Sequence, residues 1–120
     1  NKHGAAYWDS TRGRWLLVDR SSTRVSAATP GGTLETAASL DHPALAIAYD
    51  EAGDIIYYCN QTNRRLYIHE VASGNEAPLF WPISTLRCTG NSLVFDSERS
   101  SIIFAFWQNG LSGIAEYLLP

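Results

Sequence analysis

Between Ala46 and Val71 the chain reads AIAYDEAGDIIYYCNQTNRRLYIHEV, runs of strand-forming residues broken by polar, turn-forming stretches. Either this is an isolated hairpin or it is one copy of a unit that recurs along the chain, and the difference decides the fold. Tyr, Ile, Val and Cys favour a pleated, half-buried surface, and Asp, Glu, Gly, Asn and Gln punctuate it.

The same order of features appears three times. Asp9 follows Ala-Ala-Tyr-Trp, Asp50 follows Ala-Ile-Ala-Tyr and Asp96 follows Ser-Leu-Val-Phe, with spacings of 41 and 46 residues. After each Asp comes a short polar turn (STRGR, EAGD, SERSS), and then an apolar strand: WLLV from Trp15, IIYYC from Ile55, IIFAFW from Ile102. A second polar turn follows (DRSST, NQTNRR, QNGLS), then a third strand at Arg24–Ala28, Leu66–Val71 and Gly113–Leu118. In the first two copies a fourth segment is expected at Thr33–Ala37 and Ala77–Trp81. Outside these units only Thr36 to Leu40 has the character of a helical turn, about one turn long.

Four short antiparallel strands on a period of 40 to 50 residues are the pattern of a β-propeller blade. The chain is therefore expected to be an all-β propeller segment with blades at about 1–40, 41–86 and 87–120, the last incomplete. A four-stranded sheet cannot bury both faces by itself, and stacking neighbours buries them.

The second copy resembles the six-bladed propellers of the YWTD type, found in receptors of the low-density lipoprotein receptor class, and of the NHL type. Pro43, Asp50, Gly53, the aromatic strand Ile55–Asn60, Asn63, Arg65 and Leu66 match the order of the NHL consensus. In YWTD terms the tetrapeptide falls on Tyr57-Tyr58-Cys59-Asn60 and on Leu16-Leu17-Val18-Asp19. The third copy departs, because Phe106 stands where a carboxylate or amide belongs. The resemblance implies a six-bladed ring, a secreted or cell-surface setting and a role in protein contacts.

Composition limits the alternatives. Of 120 residues, 45% are hydrophobic and 18% charged, which places the chain among globular proteins. The formal charge of −3 is spread without basic blocks, so no footprint for nucleic acid is present. No apolar run reaches the roughly 18–20 residues of a membrane-spanning helix. There is no Met, even at position 1, and the chain is expected to be a cleaved product or a segment of something longer. Three blades do not close a ring. The missing neighbours are either the remaining blades of the same propeller or further copies of the chain.

Individual residues sort mostly into structural roles. Asp9, Asp19, Asp50, Asn60 and Asp96 end strands, where a short polar side chain accepts backbone N–H groups of the following turn. Cys59 and Cys88 are either one disulfide or a buried strand residue and an unrelated loop thiol. Asn60-Gln61-Thr62 is an N-glycosylation sequon expected on an exposed turn. His3, His42 and His69 have no metal-ligand spacing, and no nucleophile elbow or phosphate loop is present, so neither cofactor nor catalytic residue is expected. Arg64, Arg65, Trp81 and Trp107 fall on the end of the propeller that carries the turns after the second strands. They are the candidates for partner binding, since Arg and aromatic side chains dominate interface energetics. The expected function is a non-catalytic scaffold for protein contact. The alternatives are a lyase- or lactonase-like propeller enzyme with a channel metal and an oligomeric propeller lectin.

Overall fold

The computed structural model describes residues 5–79 and 86–120. Among them are eleven strands and no helix. The first sheet is β1 (Ala5–Asp9), β2 (Arg14–Val18), β3 (Arg24–Ala28) and β4 (Leu34–Ser39), and the middle sheet is β5 (Ala44–Asp50), β6 (Ile55–Asn60), β7 (Leu66–Glu70) and β8 (Glu76–Pro78). The third is β9 (Arg87–Asp96), β10 (Ser101–Gln108) and β11 (Leu111–Leu118). Each sheet is an antiparallel meander in chain order, and β1, β5 and β9 lie side by side at the inner edge of the stack. This is a β-propeller segment, in which each sheet is a blade.

Burial explains why these segments are strands. In β2 the alternation is strict: Leu16 and Val18 are buried while Trp15 and Leu17 face outward. The middle blade has no outward face. Ile56 and Tyr58 of β6 enter the core shared with the first blade, and Tyr57 and Cys59 enter the core shared with the third. An unbroken apolar run such as IIYYC is what a strand covered on both sides requires. In β5 the register shifts between Ala44 and Ala46, so the successive residues Leu45 and Ala46 both join the second core, between Ala44 and Ile47 of the first.

Three local expectations change. Thr36 to Leu40 does not form a helical turn; residues through Ser39 belong to β4, which pairs with β3 and buries Ala38, with Leu40 buried just beyond. A ladder partner for β3 outweighs the weak local preference of TAAS. The fourth strand of the middle blade is shorter than Ala77–Trp81, and Trp81 lies outside the described residues. The QNGLS stretch is not a five-residue turn: Gln108 pairs with Leu111 across a two-residue turn, with Asn109 at φ 50° and Gly110 at φ 84°. Asn-Gly with both residues left-handed is the favoured tight hairpin, and it lets β10 and β11 run to eight residues each. Phe106 fits that change. Its strand does not stop there, so no capping carboxylate is required, and its ring lies against Gly113, where an added Cβ would sit 3.0 Å from it.

The first turn of each repeat shares one backbone shape. The fourth residue after each Asp is left-handed: Gly13 at 62°, Asp54 at 55° and Ser100 at 51°. Asp9 Oδ1 accepts Arg12 N–H at 3.2 Å, Asp50 Oδ1 accepts Gly53 N–H at 3.1 Å and Asp96 Oδ1 accepts Glu98 N–H at 3.0 Å. The second turns use the same device, with Asp19 Oδ1 accepting Ser21 N–H and Asn60 Oδ1 accepting Thr62 N–H, both at 2.8 Å.

Candidate functional site

Antiparallel meanders send the second-strand turns and the inter-blade links to one end of the stack. At that end, between the middle and third blades, Thr62, Asn63, Arg64, Arg87, Thr89 and Trp107 line an open cleft of about 520 Å³. Its walls are fixed. Cys59 of β6 and Cys88 of β9 form a disulfide, with Cα atoms 6.1 Å apart, and Cys88 N–H donates to the Arg64 carbonyl at 2.9 Å. The turn beneath is closed by Arg64 N–H donating to the Asn60 carbonyl and Asn60 N–H donating to the Arg65 carbonyl, each at 2.8 Å.

Arg64 adopts φ 60°, a left-handed conformation that costs an L-residue with a Cβ about 1 kcal/mol. Its side chain is exposed, and among the described residues its guanidinium has no ion-pair partner. Trp107, at the end of β10 opposite Arg87, is 47% exposed. An unpaired cation beside an exposed indole, on a wall held by a disulfide, suits a carboxylate flanked by an apolar group.

The candidates therefore separate. Arg64 and Trp107 come together in the cleft. Arg65 is half-buried and is absent from the cleft; it lines a small inter-blade cavity to which Arg64 also contributes, beside Leu66, Cys88 and Phe104. Trp81 is outside the described residues. Arg87 and Thr89 were not anticipated; they flank Cys88 at alternate positions of a strand that reads locally as part of a loop. The exposure expected of the sequon asparagine is not found: Asn60 is 1% exposed, and its Nδ2 is buried with no hydrogen-bond partner among the described residues. Its neighbours Gln61 and Thr62 are exposed, but the asparagine itself turns inward to cap the turn.

A second polar cluster escaped sequence reading altogether. Glu76 of β8 is half-buried as a residue, but its side chain is only 2% exposed and accepts from Tyr58 Oη, from His69 Nδ1 at 2.8 Å and from Asp41 N–H at 3.2 Å. An ionised carboxylate only accepts, so this arrangement places the imidazole proton on Nδ1 of His69. Burial, with the Glu76 bond second, drives the Tyr58 phenol far above its ordinary value. His42 reaches Tyr58 Oη of β6 at 3.2 Å and lies 3.5 Å from Glu76 Oε2 of β8, so the link between blades is tied to the second and fourth strands of the middle one. Among the described residues no three His, Cys, Asp or Glu side chains are grouped to hold a metal ion. At the opposite end of the stack the polar groups satisfy one another: Glu51 takes donors from Tyr7, Ser10 and Thr11, and Arg12 reaches both Asp9 and the Glu51 carbonyl.

No family model and no curated protein matches the chain. Among solved structures, one chain of the crystal structure of a nidogen/laminin complex is similar over 96% of this chain, at 17% identity and a TM-score of 0.68. The N-terminal domain of Nup159 is similar over 97% of this chain, at 14% identity and a TM-score of 0.47. The chain spans 49% of the first of these and 30% of the second. The likeness to the nidogen/laminin structure carries the fold.

Proposed function

We propose that this chain is a protein-binding portion of a β-propeller from a secreted or cell-surface protein, with repeats of the YWTD type and no catalytic role. It docks a partner through the Arg64–Trp107 cleft. The observation that carries this reading is an Arg64 guanidinium without an ion-pair partner among the described residues, lining one cleft with exposed Trp107 on walls joined by the Cys59–Cys88 bridge. A partner loop that places an Asp or Glu on Arg64 and an apolar side chain on Trp107 meets the chemistry of both. The disulfide supports an oxidising compartment. The similarity to a propeller crystallised with laminin supports contact with another secreted protein.

The test uses immobilised laminin and a panel of other secreted multidomain proteins as probes. The expected result is a partner whose affinity falls at least about tenfold with Arg64→Ala and with Trp107→Ala, and weakens as salt rises. Arg99→Ala, at the opposite end, leaves that affinity unchanged. A partner indifferent to both cleft substitutions overturns the assignment of the site.

A further inference from the structure

Asn109 and Gly110 form the tip of the hairpin between β10 and β11, and both are exposed. Their exposure does not depend on the bare face of the third blade. The corresponding turn of the middle blade, which has a neighbour on each side, is exposed from Gln61 to Arg64. Of the asparagines whose side chains are described, the others are held or shielded. Asn60 is buried with Oδ1 on the Thr62 N–H, and Asn63 accepts Arg65 N–H at 2.9 Å and donates to Tyr67 Oη at 3.2 Å. Asn75 is exposed, but Glu76 follows it, and the Cβ of that residue crowds the backbone nitrogen between them. The Asn109 side chain makes no hydrogen bond among the described residues, and Gly110 N–H donates to no backbone carbonyl there. A Cβ added at Gly110 would meet nothing within 4 Å, so the approach to its nitrogen is open.

We propose that Asn109 is a site of spontaneous deamidation in the folded protein, giving isoaspartate and aspartate as the chain ages. The Gly110 nitrogen attacks Asn109 Cγ, the side-chain nitrogen leaves as ammonia with the proton from Gly110, and a cyclic imide closes. Water then opens the ring. Addition at Cγ leaves the ordinary backbone with an aspartate side chain; addition at the main-chain carbonyl leaves the backbone running through Cγ, as isoaspartate. One water is consumed and one ammonia released, and no oxidant or catalyst enters. Glycine permits the attack because it carries no Cβ and turns freely. The left-handed turn must open to bring nitrogen to carbon, and little opposes it. The tip is closed by the pairing of Gln108 with Leu111, while Leu111 is 70% exposed and Ser112 beyond it is exposed too. Segments with few buried contacts open at small cost.

The two products act differently on the fold. Asp-Gly suits the same tight turn as Asn-Gly and changes only the charge. Isoaspartate adds a backbone carbon to a turn of two residues, so Gln108 and Leu111 cannot stay opposite each other and the hairpin loosens towards Trp107. Any effect on a partner rests on the cleft proposed above; the chemistry does not.

The test is incubation of the intact, disulfide-bonded chain at neutral pH and body temperature, followed by trypsin digestion and mass spectrometry. Cleavage after Arg99 leaves Asn109 as the sole asparagine of the peptide from Ser100 to Pro120. The expected result is that this peptide exchanges an amide for an acid before any other does and splits into two species, the larger of them isoaspartate by enzymatic methylation. Asn109→Gln abolishes the change. Amide exchange at Gln108 and Leu111 quickens in the aged protein but not in Asn109→Asp, which has the charge without the extra carbon. Conversion at Asn109 with partner affinity unchanged upholds the site and separates it from the cleft. A peptide that stays unconverted in the folded chain while the same chain in urea converts overturns the proposal, because the turn then protects its asparagine. So does conversion that begins in a peptide carrying a different asparagine.

Discussion

Glu51, in the first turn of the middle blade, accepts the Thr11 backbone N–H at 2.8 Å and the Thr11 hydroxyl at 2.7 Å, although 40 residues separate them in sequence. These bonds, led by the Thr11 hydroxyl and joined by Ser10 and Tyr7, lower the Glu51 carboxyl to about 2 from an ordinary 4.5. A depressed carboxylate stabilises the fold fully above its unfolded value and loses that contribution as pH falls towards the folded one. Stability at neutral pH should therefore decline between about pH 5 and pH 2, and Glu51→Gln should flatten that decline. Urea midpoints measured across this range check it. An unchanged pH profile in the variant assigns acid sensitivity elsewhere.

Ser100 sits in the left-handed turn position that Gly13 fills in the first repeat. Among the described residues its hydroxyl makes no hydrogen bond that offsets the backbone strain, and its carbonyl, which accepts Leu119 N–H at 2.9 Å, stays in any substitution. Ser100→Gly should raise stability by up to about 1 kcal/mol, less the entropy glycine adds to the unfolded chain. Ser100→Val should lower it by at least as much. Thermal denaturation of the pair distinguishes a strained turn from a relaxed one.

Reduction of the Cys59–Cys88 bridge releases a loop with a sequence separation of 29 residues. Loop-closure entropy puts the loss at about 3–4 kcal/mol. The middle and third blades should then lose amide exchange protection before the first, with the earliest loss at Arg64 and Cys88, whose backbone bond depends on the same junction. Hydrogen exchange in the presence and absence of reductant reads this directly.

Truncating Glu76 to Ala strands the His69 Nδ1 donor inside the protein and leaves the Tyr58 hydroxyl with His42 alone. A buried donor without a partner costs about 1–3 kcal/mol, so the variant should lose at least about that much. Gln keeps a carbonyl acceptor and should lose less. Chemical denaturation of both variants decides whether the cluster is a strut of the fold or a loosely held surface group.

The blades were legible because their signals are short-range: alternation in WLLV, two-sided apolarity in IIYYC, and an Asp ahead of every first turn. Thr36 to Leu40 misled because the demand of β3 for a partner is not written in its own window. Asn60 misled for a related reason. A sequon is three residues, while the inward turn of its asparagine is set by the bonds Asn60 makes with the backbone of Thr62, Arg64 and Arg65. Glu76 carries no local mark of burial, since Tyr58, His69 and Asp41 reach it from three separate segments. Of the cleft, Arg64 and Trp107 could be placed by their turns, but Arg87 and Thr89 required the start of β9, which looks like loop until the disulfide pins it.

The left-handed backbone at Arg64 sets stability and recognition against each other at one codon. Drift towards Gly or Asn would relax the turn and leave every strand intact, so a lineage that no longer needed the cleft should lose this arginine early. Among descendants of the same ancestor, a cation retained at position 64 would mark those still under selection for the partner, and a glycine there would mark those that have kept the fold after abandoning the contact.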